Sequence, residues 1–276
     1  MVRIFEDLYL NSAADSLPPV TAIALYDEFR ELTPAGEKGD EMIRKLADRL
    51  AAVDLLREAA ELLENQVQFR LSGLKKAQVG TRLALVYLSA NRPERAIRAL
   101  QKSSVASLPA EEVVTRRHLQ ARALMDQGKT TEAIQLLDGA KDDGLQADRL
   151  RSEIYWNAGN WRNASAVIRR MTLAEGARRG RPLTEEQARL ILKLAVAYTL
   201  GDNERGVQQV DASFGKAMAE TSLRDAFLLI ANQENTGMLD PRTITSMIKP
   251  AENFKSFMDA YQERVKAGEL SAINGE

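Results

Sequence analysis

Leu83-Ala84-Leu85-Val86-Tyr87, followed by Ala96 and Leu100, is the stretch whose reading decides the fold. A small residue, Ala84, sits among large apolar ones. A second, Ala96, follows twelve positions later, and Leu100 lies four beyond it. The frame recurs in both directions. Upstream it reads Leu46, Ala47, Leu50, Ala59 and Leu63. Downstream it reads Ala121, Leu124, Ala133 and Leu137, then Ser152, Tyr155, Ala164 and Ile168. A fifth, degenerate copy has Leu194, Ala197, Gly206 and Val210, with Leu in the first small position.

Residues four apart share a helix face. A small side chain on each of two helices lets their axes approach, and large neighbours fill the groove around them. Each copy therefore reads as a pair of packed helices. Asn91, Gly128, Gly159 and Gly201 fall at a constant place between the two helices of a copy. Gly and Asn suit the left-handed conformation that ends a helix. Pro93 suits the first turn of the next helix, where its missing N–H costs little.

Composition agrees with helices. Of 276 residues, 45% are hydrophobic and only 5% aromatic. Ala, Leu, Arg and Glu recur, whereas the β-branched and aromatic residues that favour strands are sparse. The formal net charge is −1, against the strongly basic balance of generic nucleic-acid binders, so no nucleic-acid partner is expected. There is no cysteine, which excludes disulfides and thiolate metal sites, and His118 is the single histidine. No metal or cofactor is expected. No apolar run reaches the length of a membrane span. Met1–Tyr9 carries Glu6 and Asp7 and lacks a signal peptide's apolar core, which leaves the compartment, cytoplasmic or periplasmic, open.

The recurring frame, best kept in Ala-Leu-Val-Tyr with Ala96, Ala-Arg-Ala-Leu with Ala133 and Ser-Glu-Ile-Tyr with Ala164, resembles the tetratricopeptide repeat, a helix–turn–helix unit of about 34 residues. The likeness covers roughly residues 40–212. The family's early Trp and closing Pro are absent, and the second small positions are spaced by 37, 37, 31 and 42 residues. The segment Asp40–Met171 is also similar to the C-terminal region of uncharacterised alphaproteobacterial proteins that carry such repeats, through Leu32-Thr33-Pro34, Gly39-Asp40-Glu41-Met42-Ile43 and Arg49–Leu56. The resemblance implies an all-α fold, a solenoid of helical hairpins with extra N- and C-terminal helices. In such arrays the first helix of each pair lines a concave face. On this sequence its outward positions are Arg44 and Asp48; Thr81, Arg82 and Leu85; His118, Arg122 and Met125; and Arg149, Glu153 and Trp156. Arg pairs with carboxylates while Leu85, Met125 and Trp156 bury apolar groups, so the expected partner is a protein or peptide segment of acidic character. The Lys and Asn pattern of the family's carboxylate clamps is missing.

Four segments follow. Residues 1–39 hold N-terminal helices, read as Val2–Tyr9 and Pro19–Leu32. Residues 40–171 hold four hairpins. Residues 172–214 hold a basic linker and the fifth, degenerate hairpin. Residues 215–276 hold capping helices, Leu223–Asn232, Pro241–Ile248 and Ala251–Lys266, and a frayed tail. The linker Thr172–Leu183 contains Gly176, Gly180 and three arginines, Arg178, Arg179 and Arg181. Thr184 and Gln187 have the spacing of a capping box, which predicts a new helix there.

Nothing in the sequence assembles a reaction centre. His118 has no nucleophile or orienting carboxylate in a recognisable pattern. Glu111-Glu112, Asp142-Asp143 and Glu185-Glu186 stand where negative charge stabilises helix starts or loops. The reading is a non-enzymatic scaffold or adaptor in cell-envelope or complex assembly. The alternatives are a peptide-responsive sensor hinged at the linker, and the non-catalytic arm of an enzyme.

Overall fold

A computed structural model describes residues 7–9, 17–140 and 144–231. Among them there is no strand: the chain is all-α, and its helices pack in sequence order. They are α1 (Pro19–Glu28), α2 (Glu37–Ala52), α3 (Leu56–Asn65), α4 (Gly73–Ser89), α5 (Pro93–Lys102), α6 (Ala110–Asp126), α7 (Thr130–Gly139), α8 (Leu145–Asn157), α9 (Trp161–Ala174), α10 (Glu185–Leu200), α11 (Glu204–Met218) and α12 (Arg224–Ala231). The chain divides into two compact units, Met1–Leu136 and Leu137–Glu276, with the division inside α7.

In the first unit α2 packs on α3 and α4 on α5, and α4 also contacts α3 and α6. The small residues of the frame are buried. Ala59, Ala84, Ala96, Ala121 and Ala133 have no accessible surface, and Ala47 has 1%. The large residues beside them, Leu46, Leu50, Leu63 and Leu83, are buried as well. Each such side chain contributes roughly 1.5–3 kcal/mol through its removal from water. In the second unit α8 packs on α9, α9 on α10, and α10 on α11. Helix α12 rests on both α10 and α11. The core of this unit gathers Ile168, Ile191, Leu194 and Val196 with Met218, Phe227 and Ile230.

One turn geometry recurs at the end of α2, α4, α6, α8 and α10. An amide donates back to the carbonyl five residues earlier: Leu55 to Leu50, Arg92 to Tyr87, Lys129 to Leu124, Asn160 to Tyr155 and Asn203 to Tyr198. The residue just before each donor is left-handed, as this helix stop requires. These residues are Asp54, Asn91, Gly128, Gly159 and Asp202. The sequence expectation placed the last at Gly201, whose φ is −97°. In the fifth pair the accepting carbonyl belongs to Tyr198 rather than to Ala197, so the turn comes one residue later and falls on Asp202. Pro93 opens α5 as expected, and Thr184 and Gln187 form the capping box of α10.

Other boundaries differ from the sequence reading. The first N-terminal helix is described only at residues 7–9. Helix α1 stops at Glu28, and Arg30–Leu32 is a 3₁₀ turn. After α3 the chain makes a π turn, Gln66–Arg70, with no evident sequence signal. That turn aims Arg70 at Asp40 Oδ1 (2.7 Å) and at the carbonyl of Pro34 (3.0 Å), closing the loop before α2. The linker is shorter than Thr172–Leu183, because α9 continues to Ala174 and buries Thr172. Gln187 Nε2 donates to the carbonyl of Glu175 at 2.8 Å and Ala177 is buried, so the linker is fastened to α10. The expected helices Pro241–Ile248 and Ala251–Lys266 and the tail lie outside the described residues.

Candidate functional site

The first-helix residues singled out by the sequence include one charged group in each unit. In the first unit Arg44 and Asp48 lie one turn apart on α2 and face Arg82 of α4. Arg82 Nε stands 3.2 Å from Asp48 Oδ1. Among the described residues no carboxylate lies within 4.0 Å of the Arg44 guanidinium, so Asp48 pairs with Arg82 and Arg44 is left beside that pair. Burial holds the Arg44 pKa below its usual value, and the like charge of Arg82 lowers it further. Asp48 keeps 40% of its side-chain surface accessible, but the protein crowded around it raises its pKa, against the pull of Arg82 and Arg44.

On α6, His118, Arg122 and Met125 follow at helical spacing, with His118 and Met125 buried and Arg122 partly so. Leu85 and Thr81 are not outward as spacing alone suggested. Each retains 1% of its surface. Helix α4 has neighbours on three sides, α3, α5 and α6, which leaves only a narrow outward stripe, and Arg82 occupies it.

In the second unit Arg149, Glu153 and Trp156 share a face of α8. Arg149 Nη2 lies 3.3 Å from Glu175 Oε1 and 3.5 Å from Glu186 Oε1, at the start of α10. Trp156 is buried, its ring edge-on to Trp161 with centroids 5.2 Å apart. Lys193 of α10 places its ammonium 5.2 Å from the centre of the Trp156 ring. Burial lowers the Lys193 pKa, and Glu153 and Glu186 oppose that shift. The sequence did not mark Lys193, and it read Glu186 only as negative charge near a helix start. The fifth copy has Leu194 where the others have a small residue, so its frame gives no outward positions.

The sequence also missed Arg116, one position from the more conspicuous Arg117-His118. Arg116 is buried on α6 and donates to the carbonyl of Ala77 (2.7 Å), Thr81 Oγ1 (3.0 Å) and Ser103 Oγ (3.1 Å), and also to the carbonyl of Leu100. Leu100 is in the last turn of α5, whose carbonyls have no partner within the helix. Arg116 thus caps α5 from the following pair while holding α4. The hydroxyl of Thr81 in turn donates to Glu112.

Among the described residues no cluster of His and carboxylates has the makings of a metal site, and no helix is long and apolar enough to cross a membrane. Of the carboxylate pairs, Glu185-Glu186 stands in the first turn of α10, where Glu185 accepts from Ser222 and Glu186 faces Arg149. The arrangement is suited to charge recognition beside a packed core. A scan of protein-family models finds no match to the chain, and a search of curated proteins finds none either.

Proposed function

We propose that the chain is a tetratricopeptide-like α–α solenoid acting as a non-enzymatic scaffold or adaptor, and that its first-helix faces hold an acidic segment of a partner protein. The observation that carries this reading is the Arg44–Asp48–Arg82 group, in which Asp48 pairs with Arg82 and, among the described residues, Arg44 has no carboxylate within 4.0 Å. A partner carboxylate entering beside Arg44 would complete the pairing. Arg presents a planar fork to such a group, and the contact is stronger than one between neutral groups. The pairwise packing of the helices supports the reading, because α3 packs on both α2 and α4 and so constrains where their arginines stand. A role in cell-envelope or complex assembly rests on the sequence resemblance alone.

The test is capture of the partner from the native cell, followed by direct titration of its acidic segments, as labelled peptides, against the purified chain. The Arg44→Ala and Arg82→Ala variants should each weaken binding about tenfold, the loss of one charge-assisted contact. Unchanged affinity in both variants, with the fold intact by circular dichroism, would reject the site.

A further inference from the structure

On the other side of α4 the first unit contains a second, unrelated site. A cavity of about 500 Å³ opens between α3, α4 and α5, with Leu83 and Ala99 in its lining. Four cations line it, Lys76, Arg95, Arg98 and Lys102, against a single carboxylate, Glu64. That carboxylate is already engaged, because Tyr87 Oη donates to Glu64 Oε2 at 3.1 Å. Among the described residues no carboxylate lies within 4.0 Å of any of the four cations.

The fold gives little reason for this concentration of charge. Arg95 is in the first turn of α5, and Lys76 is near the start of α4. Both are at the positive end of a helix dipole, where cations are disfavoured. Arg95 finds a partial substitute in the Tyr87 ring, 5.7 Å away. Only Lys102, in the last turn of α5, is placed as helix electrostatics favour. Arg95, Arg98 and Lys102 follow one another on one face of α5, and Lys76 faces the same hollow from α4. Lys76 and Tyr87 lie eleven residues apart on α4, so the cleft runs about 16 Å along that helix at 1.5 Å per residue. A cleft with walls of one sign concentrates its counter-ion. Its volume is that of a small-molecule site, not of a protein docking surface.

We infer that the cleft between α3, α4 and α5 binds a small polyanion carrying several phosphates, with Lys76, Arg98 and Lys102 as its principal contacts. Arg95 holds the Tyr87 end of the cleft. This site is independent of the partner-binding face proposed above and uses none of its residues.

The experiment is isothermal titration of the full chain with inorganic tripolyphosphate at low and at physiological salt. A nucleoside triphosphate is titrated in parallel, to separate an inorganic source of phosphates from an organic one. Saturable binding of either at one site per chain is expected, weakening as salt rises. Lys76→Glu and the double variant Arg98→Glu/Lys102→Glu should each cost at least about tenfold in affinity. These side chains reach the surface, so the variants should keep the parent's helical content. Arg178→Glu/Arg179→Glu, in the exposed linker of the other unit, should leave affinity within about twofold, because these residues do not line the cleft and exposed charges are screened. No saturable binding of either phosphate compound at low salt would overturn the inference. So would equal weakening by the linker variant, or binding of an oligoglutamate peptide in preference to both.

Discussion

A Cβ on Gly206 would stand 2.6 Å from Cγ of Tyr198 and no farther than 2.9 Å from either Cδ carbon of the ring. The second small position of the fifth pair is therefore glycine because a tyrosine ring fills the place that a methyl occupies elsewhere. In the other pairs the same position is alanine, and it is fully buried.

Gly206→Ala decides between two opposed effects. Alanine is favoured over glycine inside a helix by about 1 kcal/mol. Overpacking against a partly buried ring that rests on the core costs about 1–3 kcal/mol. Contact under 3.0 Å with ring carbons cannot be relieved by a small side-chain adjustment, so the steric cost should dominate. The variant should unfold at lower temperature than the parent, and adding Tyr198→Leu should recover part of the loss. A higher melting temperature for Gly206→Ala alone would show that Tyr198 moves aside without cost.

Arg116→Leu should cost about 2–4 kcal/mol, because it removes a buried guanidinium whose bonds tie its helix to two others, and leaves polar atoms behind. Arg116→Lys should recover less than half of that, since one ammonium does not reproduce the fork that spans the carbonyls of Ala77 and Leu100. Urea unfolding followed by circular dichroism reads both. A loss under 0.5 kcal/mol, the range of an ordinary surface change, would contradict the capping role.

Lys193 gives a pH-dependent test. Its folded-state pKa is lowered from 10.5, mainly by burial. The folded protein thus resists the protonated form, and the stability this group allows is present above its unfolded pKa and is lost as pH falls through the folded value. Lys193→Met removes that penalty and gives up the contact with the Trp156 ring. Its advantage over the parent should be greatest at neutral pH and shrink as pH approaches 10.5. Melting temperatures across that range check the sign. An advantage that grew with pH would contradict the burial account.

The paired helices could be read from the sequence because their signal is local and repeated. Ala84 with Ala96, and Ala121 with Ala133, carry it in side-chain size alone. The left-handed stops at Asn91, Gly128 and Gly159 were visible for the same reason. At Asp54 and Asp202 the conformation is imposed on a residue that merely tolerates it, so composition gave no warning. Partial exposure was legible at Arg44 and Asp48 on α2, and at Arg82, which occupies the one stripe of α4 left between its neighbours. It was misread at Leu85, because the burial of that residue depends on how many helices surround α4. Arg116 was hidden by its type: an arginine that caps a neighbouring helix looks, in sequence, like one that faces water. The basic cleft was also out of reach, since it draws Glu64, Lys76 and Arg98 from three different helices.

The first-helix face is tested most directly by site-specific photocrosslinking in the native cell. Glu41→p-benzoylphenylalanine places the probe one turn from Arg44 on α2 and leaves Arg44 and Arg82 intact, and Glu61→p-benzoylphenylalanine places it on the exposed surface of α3. The result expected is a discrete crosslinked product from position 41, mapping to an acidic stretch of a single partner, and none from position 61. Equal products from both positions, or a product from position 61 alone, would contradict the assignment of partner binding to this face.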